Sequence, residues 1–262
     1  IVKRDRFRSD LILSEKTLSR NIDYTIEYSS GLIRFKAPIP AYENFNPVFI
    51  IAEYETLGVA NSKETFGGRV EAKIFDNKIN IGLTHIHEGK DFSDSQMSGA
   101  DATIKLGDKS RLKLEVATSD ASNNGTSNNG SAYRAEFDHA SSLADINLYA
   151  KKTDAHFGLG QQAISENGSE KRGALTRIHL GQNFDFRTDY NEQIQNNQEQ
   201  KVLSSGLEYR YATGTISLGA KKINEQRNSG DISSSQLIAR FLQRFWGGKV
   251  EFEASAEKNM TS

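Results

Sequence analysis

The chain of 262 residues sets 33 Lys and Arg against 34 Asp and Glu and contains no cysteine. That balance removes the basic field that recruits nucleic acid, and the missing thiols exclude disulfides, thiolate catalysis and Cys-ligated metals. No run approaches the roughly 18 apolar residues of a membrane-spanning helix, so a membrane met by this chain would be crossed by strands, whose alternation hides apolar residues at every second position.

The first ten residues, "IVKRDRFRSD", have neither the apolar core nor the cleavage site of a signal peptide, so an exported chain is expected to be mature or a piece of something longer. All three prolines (Pro38, Pro40, Pro47) fall in the first 62 residues. This composition shift divides the chain into a small β module, 1–62, and a second region, 63–262. Within the module Tyr24, Ile26 and Tyr28 alternate with Asp23, Thr25 and Glu27, Ser30-Gly31 turns the chain, and Leu32, Ile33 and Phe35 return, which predicts a hairpin. "PVFIIAEYE" (47–55) is more continuously apolar and predicts a central strand. "TLGVANSKET" (56–65) is the expected linker.

From there the pattern repeats. Ala102, Ile104 and Leu106 oppose Asp101, Thr103 and Lys105 in face; after the turn Gly107-Asp108-Lys109, Leu112, Leu114 and Val116 oppose Lys113 and Glu115. Twelve such strands are predicted, at 66–75, 78–87, 99–106, 111–118, 132–139, 144–153, 172–180, 184–192, 203–211, 215–223, 235–245 and 249–257. Short turns such as Asp76-Asn77 and Thr213-Gly214 alternate with long polar connections such as "SDASNNGTSNNGS", "DAHFGLGQQAISENGSEK" and "QIQNNQEQKV". One apolar and one charged face, with short and long connections in alternation, predict an all-β, antiparallel transmembrane β-barrel preceded by the small module. No closing strand is evident after 257, so the barrel is expected to be incomplete at its C-terminal end. The residues expected to line its lumen are Arg69, Glu71, Lys73, Lys113, Glu115, Arg134, Glu136, Arg177, Arg187, Glu208, Arg210 and Arg240. Phe66, Phe75, Tyr133, Tyr190, Tyr211, Phe245 and Trp246, near strand ends, are expected in interfacial girdles.

The hairpin "DYTIEYSSGLIRF" followed by "NPVFIIAEYE" resembles segments that precede barrel strands in very large Gram-negative outer-membrane proteins. It looks like the "DYxIDYxxGxIxF" pattern of the giant translocon barrel of the type IX secretion system and of large surface proteins. The resemblance implies a bacterial outer-membrane setting, with outer-membrane lipid and lipopolysaccharide as surroundings and a plug or partner protein filling a wide lumen. The architecture alone does not fix function. The expectation is a pore or translocation channel for a solute or polypeptide, with no catalysis and no cofactor. Two rivals stand beside it: a structural or adhesive surface protein, and a soluble β-sandwich or solenoid with its apolar face packed on another sheet.

Other groups invite chemistry and read more simply as polar strand ends. His85 and His87 share a strand face near Glu88, a weak metal pattern. His139 with Ser141, and Asp154 with His156, lack a nucleophile motif. Asp91, Asp94 and Asp101 form an acidic cluster that solvation explains as well as calcium does. "FGLGQQ" (157–162) precedes no helix, so it reads as an ordered loop folding back toward the lumen.

Overall fold

The structure is a computed structural model. It describes the chain except residues 6–10, 29–30, 41, 44–45, 53–63, 91–92, 124–125, 160–166, 228–229 and 261–262. The expected linker therefore lies outside the described residues, apart from its last two positions. Contacts divide the chain into two compact units, Ile1–Ala60 and Asn61–Ser262.

The first unit holds β1 (Val2–Arg4), β2 (Ile12–Glu15), β3 (Tyr24–Glu27), β4 (Leu32–Phe35), β5 (Tyr42–Glu43) and β6 (Asn46–Phe49). The predicted hairpin is β3–β4, with Tyr24 opposite Phe35 and Ile26 opposite Ile33. Gly31 turns it at φ 65°. The strand expected over 47–55 is shorter: β6 ends at Phe49, Ile50 to Ala52 leave the ladder, and 53–55 lie outside the described residues. It is nonetheless an inner strand, between β1 and β5 in the order β2-β1-β6-β5.

The second unit is one antiparallel sheet of twelve strands in strict chain order. These are β7 (Thr65–Ile74), β8 (Ile79–Lys90), β9 (Ser93–Lys105), β10 (Ser110–Asn123), β11 (Thr126–Ala140), β12 (Ala144–Thr153), β13 (Ser169–Leu180), β14 (Phe184–Gln195), β15 (Gln198–Tyr211), β16 (Gly214–Gln226), β17 (Ile232–Phe245) and β18 (Val250–Asn259). The outermost strands, β7 and β18, each have one neighbour, so the sheet is not closed.

Most of the expected long connections prove to be strand. Gln195 pairs with Gln198 across the two-residue turn Asn196-Asn197, both at positive φ, and Asn123 pairs with Thr126. These polar ends carry no alternation for the sequence to reveal, yet their backbones continue the ladder because an open end would leave donors and acceptors unpaired. The sheet therefore extends as two-sided polar hairpins on that side. The exceptions are the β12–β13 connection, residues 154–168, and the β16–β17 connection, residues 227–231.

The register carries a steady stagger. A cross-strand row that starts at Ile74, at the short-turn end of β7, runs through Ile79, Ile104, Leu112, Phe137, Leu148, Ala174, Tyr190, Leu203 and Lys222 to Ser235. It finishes beyond the opposite end of β18, where the Met260 amide donates to the Ser235 carbonyl. A drift of about one residue per strand, with a rise of about 3.3 Å and a spacing of about 4.8 Å, corresponds to strands inclined by roughly 30–35°. Barrel walls need about that tilt.

Burial is inverted relative to a water-soluble sheet. On the apolar face Val70 is 73% and Leu218 63% exposed, and Ile81, Leu83, Leu114, Val116, Leu148, Phe184, Leu203, Leu207, Leu237, Phe241 and Phe252 are exposed with them. On the polar face Ser95, Ser119, Glu136, Thr153, Ser169, Lys171, Asp185 and Gln200 are buried. A flat single sheet would expose both faces alike, so the sheet coils toward its charged side.

Candidate functional site: the polar face of the sheet

Register places Arg69, Glu71, Lys73, Lys113, Glu115, Arg134, Glu136, Arg177, Arg187, Glu208, Arg210 and Arg240 on one face of the sheet. Glu115 stands opposite Arg134, Arg177 opposite Arg187, and Ser217 opposite both Glu208 and Arg240. Opposite charges on neighbouring strands then meet. Arg69 reaches over β8 and donates to both carboxylate oxygens of Asp101 at 2.5 and 2.9 Å, and Lys73 lies 3.5 Å from Glu71. Lys113 lies 3.5 Å from Glu136 and 3.4 Å from Asp138, while Arg134 donates to Glu136 at 2.5 Å. Arg187 contacts Glu208 at 3.4 Å.

The tightest knot is Asp185, 0% exposed. It accepts from His179 Nδ1 at 2.8 Å, lies 3.0 Å from Arg210 and 3.8 Å from Arg177, and His179 Nε2 faces Asp145 at 3.2 Å. A carboxylate taken that far from water persists only because cations enclose it. Near the short turns this face frames a cavity of about 720 Å³ lined by Lys105, Arg111, Asp138, Asp145, Arg177 and Asp189, among others.

Residues outside the sequence-derived set complete the network. Asn147 donates to Glu136 at 3.0 Å and to Asp138 at 2.7 Å. Tyr149 lies across Gly173 and donates to Asn191 at 2.7 Å, bridging three strands. His179 and Asn147 sit at the same strand parity as the charged residues, so parity alone is enough to find them; a search for formal charge passes over both.

The opposite face is banded. Aromatic contacts gather near the short turns, with Phe184 against Tyr209 at 4.7 Å, Tyr209 against Tyr211 at 6.0 Å and Phe245 against Trp246 at 6.3 Å. Toward the other end Phe66 stacks on His87 at 4.9 Å. At the same distance from the short turns, on β13 and β14, the face is polar: Arg172 donates twice to Glu192, at 2.9 and 2.8 Å, and Tyr190 donates to the same carboxylate at 2.7 Å.

The remaining sequence candidates separate. His87 faces Asp94 at 3.4 Å and His85 bonds Ser98 at 2.9 Å; among the described residues no cluster of three metal-binding side chains forms. Asp94 and Asp101 lie on opposite faces, and Asp91 is outside the described residues. His139 bonds Ser110 at 2.8 Å, whereas Ser141 closes its own turn on Ala144. Asp154 accepts from the Ser131 amide at 3.0 Å and its hydroxyl at 2.5 Å.

No protein-family model, curated protein or solved structure matches the chain.

Packing and charge on this face each have a measurable consequence. A Cβ at Gly173 would lie 2.6 Å from the Tyr149 ring and from the Tyr190 carbonyl, so Gly173→Val is expected to destabilise by about 1–3 kcal/mol through overpacking, while Tyr149→Phe, which keeps the ring, costs less; denaturant midpoints check the order. The bonds from Ser131 hold the Asp154 carboxyl below its usual range. Its contribution is thus full above the unfolded value of about 3.9 and lost as pH falls through the lower folded value. The stability gap between the native chain and Asp154→Asn should be constant above about pH 4 and close on further acidification; a gap that persists unchanged under strong acid would contradict this.

Proposed function

We propose that this chain forms the wall of an outer-membrane β-barrel whose charged face lines a passage, acting as a pore or translocation channel for a solute or polypeptide, alone or within a larger complex. The observation that carries the reading is the contrast between faces: large apolar side chains stand exposed along one side of the sheet, while the other side carries the paired charges and buries Glu136, Lys171 and Asp185. In water that arrangement wastes the hydrophobic effect. In a bilayer it is the stable one, since hydrocarbon accepts Val70, Leu83, Leu207 and Leu218 while the charges stay hydrated inside.

A soluble sandwich would cover the apolar face with a second layer. Among the described residues of the second unit there is one sheet, and that face is uncovered. The strand tilt, the aromatic belts and the two-sided polar hairpins support the membrane reading as well. Hydrocarbon tolerates no unpaired strand edge, so the free edges of β7 and β18 must be paired in the membrane. A passage of this kind performs no bond chemistry. It selects by width and by the placement of Arg, Lys, Asp and Glu, which set electrostatic barriers for permeants.

Outer-membrane fractionation with gel mobility before and after boiling tests the reading. A membrane-bound species that shifts on boiling is expected, and a water-soluble, monodisperse protein would exclude it. In lipid, Leu207→Arg should destabilise by about 2–4 kcal/mol, whereas Ser204→Arg at a nearby inward position should cost far less.

A further inference from the structure

The β12–β13 connection leaves the sheet at Thr153 and turns back over strands that precede it. Asp154 holds Ser131 on β11 through the two side-chain bonds above, and its own amide donates to the Ser131 carbonyl at 2.9 Å. The Phe157 amide closes a turn on the Asp154 carbonyl at 3.2 Å. The next amide, that of the buried Gly158, donates to the hydroxyl of Ser119 on β10 at 2.9 Å. On the return, Asn167 donates to the Phe157 carbonyl at 3.1 Å, and Gln195 on β14 donates to the Asn167 carbonyl at 3.3 Å.

The Ser131–Asp154 pair continues the β11–β12 register on the apolar side, whereas the anchors of Gly158 and Asn167, Ser119 and Gln195, lie on the charged face. Ser119 stands opposite Gly130, and Ser169 opposite Gln195, in the register that also carries the ion-pair network. Gly130 is the seat: a Cβ there would run into the backbone of His156 and Phe157. Residues 156–158 and Asn167 thus form a strap over the inward side, held at Ser119 of β10, Gly130 of β11 and Gln195 of β14, at the end of the sheet away from the short turns.

We propose that this strap is the size filter of the passage, narrowing its mouth on the long-connection side. The inference rests on the channel reading. A segment pinned to strands on both sides of its own hairpin takes cross-section from the space those strands enclose. Its small residues, Gly158 and Gly168, allow the backbone itself to make the contact. Solutes too wide for the gap would be excluded whatever their charge, and the charged residues deeper in the passage would act only on those admitted.

The absence of native cysteine makes the test direct. In Ser119→Cys the covered thiol should resist a water-soluble maleimide and react once Gly130→Leu is added; equal labelling of the two in folded, heat-modifiable protein would overturn the seat and the proposal. Swelling of liposomes in maltose and longer malto-oligosaccharides then reads the filter. Gly130→Leu, which fills the seat, and Ser119→Ala, which removes the hydroxyl that holds Gly158 without adding bulk, should raise entry of the longer sugars by roughly three-fold or more, with maltose changed much less. Equal cut-offs in the native chain and in both variants would overturn the filter and leave the channel standing. No sugar entry in any of them would sink the channel reading and the filter with it, whereas entry only in the loosened variants would support both.

Discussion

The second unit depends on a single constraint: charged side chains of both signs must be enclosed by the sheet that bears them. Asp185, Glu136 and Lys171 are buried although, among the described residues, the unit contains no second sheet to cover them. Left unpaired, charges so removed from water would cost several kcal/mol, on the order of a buried unpaired ion. Pairing is supplied from the same sheet, as Arg210 and His179 do for Asp185 and Arg134 and Lys113 do for Glu136. Cross-strand distances of that kind favour a coiled sheet, and coiling in turn forces the apolar side chains outward. Exposure of Leu218 and Val70 is therefore the other side of the same arrangement.

This organisation separates tasks along the strands as well as across them. Near the short turns, aromatic rings crowd the outward face and the most enclosed carboxylate sits inward. Toward the opposite end both faces turn polar, the Arg172–Glu192 pair standing outward while the β12–β13 strap crosses inward. A sheet in uniform surroundings has no reason to change composition at a fixed level.

Much of the fold is legible because period-two alternation is a local signal. Predicted strand 144–153 coincides with β12, and the charged set from Arg69 to Arg240 falls on one side of the register because parity propagates through short turns. Legibility fails where the signal vanishes. Gln198, Gln200 and Lys201 alternate nothing, so their composition reads as loop although Asn196-Asn197 needs only a tight turn. The Tyr149–Asn191 bond skips the strand between its partners, and the seating of Gly158 on Ser119 runs backwards along the chain. Such contacts depend on the assembled sheet and on small residues such as Gly130, whose role emerges only when a backbone lies against it.

The most direct measurement is a cysteine scan along β15, from Leu203 to Glu208, in protein reconstituted into lipid, with a fluorophore at each site quenched in turn by a lipid-bound and by a water-soluble quencher. A barrel wall requires alternation, with Leu203, Ser205 and Leu207 quenched from the lipid and Ser204, Gly206 and Glu208 from the water. Quenching of all six from water, or alternation with the two sets exchanged, would contradict it.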